Sequence, residues 1–285
     1  MSEMNHVRLG AGKPLLLVHG LGSHWRTWQP ILDALAAERE VIAVDLPGFG
    51  DTPPLPGKAT LPALADALVD FLEAHDLLGV DAVGHSMGGH LVLELVRRGK
   101  LGAVVSLDPG GFWRGWERHA VYAALAVSIR LVRLLQPAMP WLTGNAVTRT
   151  LLFAQLSARP WRLSPQLTLQ EMRSFAAATS FDDLRNQLPY ETQQGAPRGS
   201  IAAPLVIGWG RKDRSCLPRQ AGRAQDLFPD ARLHWLEHCG HLSLWDAPRE
   251  VARLVLETTA GPYATGAGSE ASARGGYQQL GDERV

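Results

Sequence analysis

"VGHSMGGH", residues 83–90, sets a single serine, Ser86, between Gly84 and Gly88, with an apolar run before it and an amphipathic one after it. The preceding "VDAV" has the apolar content of a buried strand. The following "GGHLVLELVRR" repeats apolar residues three and four apart, as a surface helix does. A serine at such a strand-to-helix turn stands clear of the sheet. Glycines suit the flanking positions because side chains there would collide where strand and helix approach. Free backbone N–H groups and the dipole at the helix start point toward negative charge developing near the hydroxyl.

The same alternation extends in both directions. "PLLLVHG", "VIAVDLPG", "GAVVSLDPG", "APLVIGWG" and "ARLHWLE" read as buried strands. "WQPILDALAAER", "LPALADALVDFLEAH", "PRQAGRAQDLF" and "APREVARLVLET" read as amphipathic helices between them. Strand and helix in turn predict an α/β fold, a mostly parallel doubly wound sheet covered on both faces. The alternation stops after Gly111 and resumes near Ala203. Residues 112–200 hold no strand pattern and are punctuated by Pro137, Pro140, Pro160, Pro165 and Pro189, so they read as a helical insertion of short helices lying over the sheet. The expected organisation is a core of 1–111 and 201–260, the 112–200 cap, and a small, polar, aperiodic tail at 261–285 expected to be disordered. No internal repeat is visible.

Composition narrows the function classes. The 285 residues carry 28 Lys plus Arg against 28 Asp plus Glu, so no net field favours nucleic acid or a strongly anionic surface. Two cysteines are too few for a disulfide framework. No basic start followed by an apolar run marks a secretory signal, which makes cytoplasmic the expected location. "VYAALAVSIRLVRLL", from Val121, is broken by Arg130 and Arg133 and is shorter than the about 20 apolar residues of a membrane span. It reads as an amphipathic helix. Oligomeric state leaves no trace in the sequence.

A hydroxyl at neutral pH is a weak nucleophile and needs a base held by a third group. Asp213 follows the "APLVIGWG" strand, and His241 lies between the next strand and the last helix. The order Ser86, Asp213, His241, each at a C-terminal strand end, fits where open α/β sheets place their sites. Asp108 in "SLDPGG" also ends a strand and is the alternative acid. In "VHGLGSHW" a turn can present the Leu21 N–H opposite the Met87 N–H, the pair an oxyanion requires.

Taken together, "HGLGSHWRTW", "DLPGFGDT", "GHSMGG", "DPGG", "GRKD" and "GHLSLWDAP" resemble the α/β-hydrolase superfamily, in its capped branch of esterases, lipase-like enzymes and carbon–carbon bond hydrolases. The resemblance covers roughly residues 7 to 260. It implies a triad of Ser86, Asp213 and His241, an oxyanion hole from the Leu21 and Met87 backbones, and a helical cap. The opening strands of the family are reduced here to "NHVRL". A serine at the nucleophile position separates the chain from relatives that use an aspartate there.

Other features have plainer readings. "HWLEHCGH" holds His234, His238, Cys239 and His241 at a spacing reminiscent of a metal site, but a strand and loop explain it without one, and no metal or organic cofactor is expected. His85 and His90 read as packing or loop support. Trp113, Trp116, Trp141, Phe153 and Trp161 are candidates to line an apolar substrate pocket. The leading expectation is hydrolysis of a small-molecule carboxylic ester of moderate size with a hydrophobic portion. The alternatives are carbon–carbon cleavage of ring-fission-type substrates, acyl transfer to another acceptor, and a low-turnover ligand-binding protein on the same fold.

Overall fold

The computed structural model describes residues 4–261; the expected disordered tail beyond Gly261 lies outside them. The chain opens with β1 (His6–Leu9) and β2 (Pro14–Val18), then α1 (Gln29–Ala36), β3 (Glu40–Val44), α2 (Leu61–Ala74), β4 (Asp81–His85), α3 (Met87–Arg97) and β5 (Val104–Leu107). Five helices follow without an intervening strand: α4 (Trp116–Leu134), α5 (Met139–Gly144), α6 (Ala146–Phe153), α7 (Pro165–Ala177) and α8 (Phe181–Gln187). The chain then returns to the sheet as β6 (Leu205–Gly210), α9 (Gln220–Leu227), β7 (Arg232–Leu236), α10 (Ser243–Asp246) and α11 (Pro248–Thr258).

The seven strands form one sheet in the order β1-β3-β2-β4-β5-β6-β7. Every pairing is parallel except β1 with β3, so the short N-terminus adds one antiparallel edge strand to a parallel sheet. Burial explains why these segments carry continuous apolar runs: Leu15, Leu16, Leu17 and Val18 of β2 are fully buried although successive side chains point to opposite faces. Leu16 and Val18 join one core with α2 and α3, and Leu15 and Leu17 join the other with α1 and α11. Each such side chain contributes about 1.5–3 kcal/mol by leaving water.

The insertion is helical, as its composition implies, but not uniformly short. The 19-residue α4 takes up the apolar run from Val121 as far as Leu134, with its two arginines inside the helix. Prolines sit where they cost least, in the first turn of α5 and α7. Asn145 accepts from the Val147 N–H at the start of α6, and Ser164 from the Leu167 N–H at the start of α7. Among the described residues no single helix is long and apolar enough to cross a membrane.

An ion-pair cluster fastens the start of the insertion to the core. Glu117 of α4, only 4% exposed, meets Arg219 Nε at 2.6 Å and Arg223 Nη1 at 2.5 Å beside α9. Burial works against its charge, yet hydrogen bonds from Arg223, the Arg114 N–H and Arg219 together hold the carboxyl below its ordinary range.

Candidate active site

Ser86 sits on the turn from β4 into α3 with φ 54° and ψ −112°, a conformation that non-glycine residues adopt at a cost of about 1–3 kcal/mol. The surroundings enforce it. Ser86 N donates to Leu107 O at 2.9 Å, and Ser86 O accepts from His90 N at 3.0 Å. A Cβ on Gly84 would stand 2.1 Å from Gly88 O, and one on Gly88 would stand 2.1 Å from Val18 O. The two glycines therefore let β4, α3 and the end of β2 close up beneath the serine.

His241 reaches the serine from the loop after β7. Its Nε2 lies 2.9 Å from Ser86 Oγ and its Nδ1 lies 2.8 Å from Asp213 Oδ2. Asp213 is itself fixed, its Oδ1 accepting from Ser215 N at 2.7 Å and Cys216 N at 2.9 Å. The His241 imidazole is pulled two ways. Burial opposes its charged form, and Asp213 and Cys216 favour it; the second effect prevails and raises its pKa well above 6.5.

Asp108, the other candidate acid, is close but differently engaged. Its Oδ1 accepts from Gly210 N at 2.7 Å, while its Oδ2 makes no hydrogen bond. Burial, reinforced by the negative charge of Asp213, raises its pKa well above the ordinary carboxylate value. The geometry gives the imidazole to Asp213.

On the side expected to receive an oxyanion, Gly20 passes so near Ser86 that a Cβ there would lie 3.2 Å from the Ser86 Cβ. The turn closes through Ser23 N to Gly20 O at 3.2 Å and does not use the Leu21 N–H. Met87 is the first residue of α3, where a backbone N–H has no partner inside the helix. His19 holds this loop: its Nε2 accepts from Leu46 N at 2.9 Å and its Nδ1 bonds Gly20 O at 2.8 Å. Those two bonds specify a neutral ring, and burial first of all lowers its pKa to about 4.

Two further residues hold the loop carrying His241 in place. His85 Nε2 bonds His241 O at 2.8 Å, and burial takes its pKa down to about 3, so it acts as a neutral strut. Asp246 has no motif to mark it beyond "LSLWDAP", yet it accepts from Ser157 Oγ at 2.5 Å, Ala158 N at 2.8 Å and Gly240 N at 2.7 Å. It ties the loop carrying His241 to the segment after α6.

Above Ser86 lies a cavity of about 440 Å³, lined by the two loops and by α4, α6 and α7. Of the aromatic candidates, Trp113 lines it. Trp116, Trp141 and Trp161 do not: they are 63%, 65% and 52% exposed on the outer surface. Phe153 is fully buried, but it turns inward to pack near Trp245, with ring centroids 6.1 Å apart. Aliphatic side chains form the wall instead, among them Val121, Leu125, Leu152 and Met172. Leu131 and Leu151 both line the cavity and are exposed, which makes an apolar rim between α4 and α6.

The histidine-rich run does not converge on one point. His234 faces Glu250 at 3.7 Å, whereas Cys239 is buried. Asp213, Cys216 and His241 do have ligand atoms within 4.8 Å of one another. Both His241 nitrogens and the Asp213 carboxylate are already engaged in the hydrogen bonds given above. Burial pushes the Cys216 thiol up to about 11.

Comparisons with known proteins agree with this architecture. The dihydrolipoyllysine-residue acetyltransferase component of the acetoin cleaving system of Pseudomonas putida is 28% identical over 256 residues, covering 86% of this chain. The chain spans only 63% of that relative's length. The 2-hydroxy-6-oxo-2,4-heptadienoate hydrolase of Pseudomonas putida is 28% identical over 268 residues, covering 89% of this chain and 91% of that one. In three dimensions, a thermophilic esterase from Thermogutta terrifontis superposes with a TM-score of 0.70 at 20% identity, over 89% of this chain and 92% of that one. The sequence pattern of the Alpha/beta hydrolase family matches residues 15–254, nearly the whole described core and insertion, and the chain belongs to that family.

Proposed function

We propose that the protein is a serine hydrolase that cleaves a carboxylic ester of moderate size with an apolar portion, through an acyl-enzyme on Ser86. The observation that carries this reading is the relay of Ser86 Oγ, His241 and Asp213, at 2.9 and 2.8 Å, opening into an apolar cavity. His241 Nε2 takes the hydroxyl proton as Oγ attacks the acyl carbon. Asp213 keeps the other proton on Nδ1 and balances the imidazolium. The Leu21 and Met87 N–H groups receive the oxyanion, and the imidazolium then protonates the departing alcohol. Water, activated by the same histidine, releases the acid.

Carbon–carbon cleavage is the second reading, favoured by relatives such as the heptadienoate hydrolase. A substrate of that kind carries a carboxylate, which calls for cationic groups under the insertion. Among the described residues, those lining the cavity include no Lys or Arg and do include Glu171, which supports the ester reading. Chromogenic esters of increasing acyl length should be hydrolysed with an optimum at moderate length. Ser86→Ala should lower turnover by several orders of magnitude. Faster turnover of a coloured ring-fission product than of any ester would overturn the assignment.

A further inference from the structure

The cavity has one strongly polar wall that the ester chemistry leaves unused. Glu171 of α7 lines it and is only 8% exposed. Beside it stands Ser23, two residues beyond Leu21 on the loop that faces Ser86 and also part of the cavity lining. The Ser23 hydroxyl beside the carboxyl lowers its pKa as a hydrogen-bond donor, yet neither Glu171 Oε2 nor Ser23 Oγ has a partner at close hydrogen-bond distance. His24 Nε2 is equally unpartnered and stands 3.9 Å from Oε2, beyond hydrogen-bond reach. Buried polar atoms are nearly always paired, so an unpartnered carboxylate oxygen on a residue that lines a ligand-sized cavity marks a place built to pair with something else.

We propose that Glu171 and Ser23 form a polar subsite that takes a hydrogen-bond-donating group, a hydroxyl or a protonated amine, carried on the apolar portion of the substrate. The proposal rests on reading the cavity as the ester-binding site. It assigns a donor because the ionised carboxyl can only accept and a bound donor, above all a cation, favours that form over the protonated one; an anionic group would be repelled by it, and a methyl group would leave the carboxyl buried and unpaired. Burial, partly offset by the neighbouring Ser23 hydroxyl, raises the Glu171 pKa to about 7. Burial likewise lowers that of His24, so no fixed cation neutralises the carboxyl. Because α7 also sets Phe175 against Gly22, where a Cβ would come within 2.4 Å of the ring, subsite and oxyanion loop are held in one frame. A donor bound at Glu171 therefore registers the ester carbonyl against Ser86.

The test is binding to the Ser86→Ala protein by calorimetry, using phenyl esters matched in shape whose acyl chains carry a hydroxyl, an ammonium or a methyl group. The substituent is moved carbon by carbon along the chain. At one position the hydroxyl or ammonium ester should bind at least about tenfold more tightly than its methyl counterpart. Glu171→Leu should erase that preference. Glu171→Gln should keep part of it for the hydroxyl ester and none for the ammonium ester. Each comparison is a ratio within one protein, so a general weakening in a variant cancels, and Glu171→Gln serves if the leucine variant does not fold. No preference at any position, or a preference that survives Glu171→Leu, would overturn the subsite. Turnover with Ser86 intact is read separately: donor preference without ester hydrolysis would refute the hydrolase reading and leave the subsite standing, whereas hydrolysis without donor preference would refute the subsite alone.

Discussion

Replacing Asp213 by Asn separates the two carboxyls near His241 with almost no change of shape. Asp213 Oδ1 accepts from the Ser215 and Cys216 N–H groups at 2.7 and 2.9 Å, and an amide oxygen in that place keeps both bonds. The loop should therefore hold its course. The other atom, now an NH2, faces His241 Nδ1 across 2.8 Å and donates to it. The ring proton is then driven onto Nε2, the atom that must accept the proton of Ser86. A wrong tautomer of this kind costs about 10⁴-fold in turnover, or about 5 kcal/mol of barrier. Asp108→Asn is the matched control. Asp108 keeps an acceptor for Gly210 N in either form, and burial already disfavours its charge. The expected loss there is less than about tenfold. The assay is hydrolysis of a short chromogenic ester together with the rate of labelling by a fluorophosphonate, after thermal melts confirm that both variants fold. A loss in Asp108→Asn as large as in Asp213→Asn, or near-normal rates in Asp213→Asn, would refute the assignment of roles.

Two more predictions follow from the same contacts. Acylation needs the neutral imidazole, and because the His241 pKa is raised well above 6.5, its rate should fall as pH drops through a midpoint above that value. Asp213→Asn should move the midpoint down, and a wild-type midpoint below 6.5 in the pH profile would contradict the electrostatic account. Asp246→Ala removes the acceptor for Ser157 Oγ, Ala158 N and Gly240 N beside His241. It should slow fluorophosphonate labelling about 10²-fold by letting the imidazole wander and should lower the melting temperature; an unchanged labelling rate would show that the loop does not depend on it.

The sheet and the placing of Ser86, Asp213 and His241 at strand ends could be read from the chain because both are local. Each strand is a short apolar run ending in Gly, Pro or Asp, and Ser86, Asp213 and His241 each sit just past such an end. The sequence points to Asp213 with Asp108 as the alternative, since both end strands, and the fold shows that it is Asp213 that meets Nδ1. The pocket residues were less legible still. Trp116, Trp141 and Trp161 have the composition of a pocket, yet which face of a helix points inward depends on how the insertion lies on the core. The same dependence hides Glu171, which looks like any surface glutamate in "TLQEMRSF" until α7 is seen to turn it toward Ser23. Asp246 is invisible for a related reason: two of its three partners, Ser157 and Ala158, lie nearly ninety residues away in sequence, beyond α6.

An activated Ser86 would show in the intact mass of the protein after incubation with a small fluorophosphonate, with peptide mapping of the product. One stoichiometric adduct on Ser86, absent from Ser86→Ala, is the predicted result. A folded protein that takes up no adduct, or takes it up elsewhere, would contradict it and turn the cavity into a ligand-binding site without a working nucleophile.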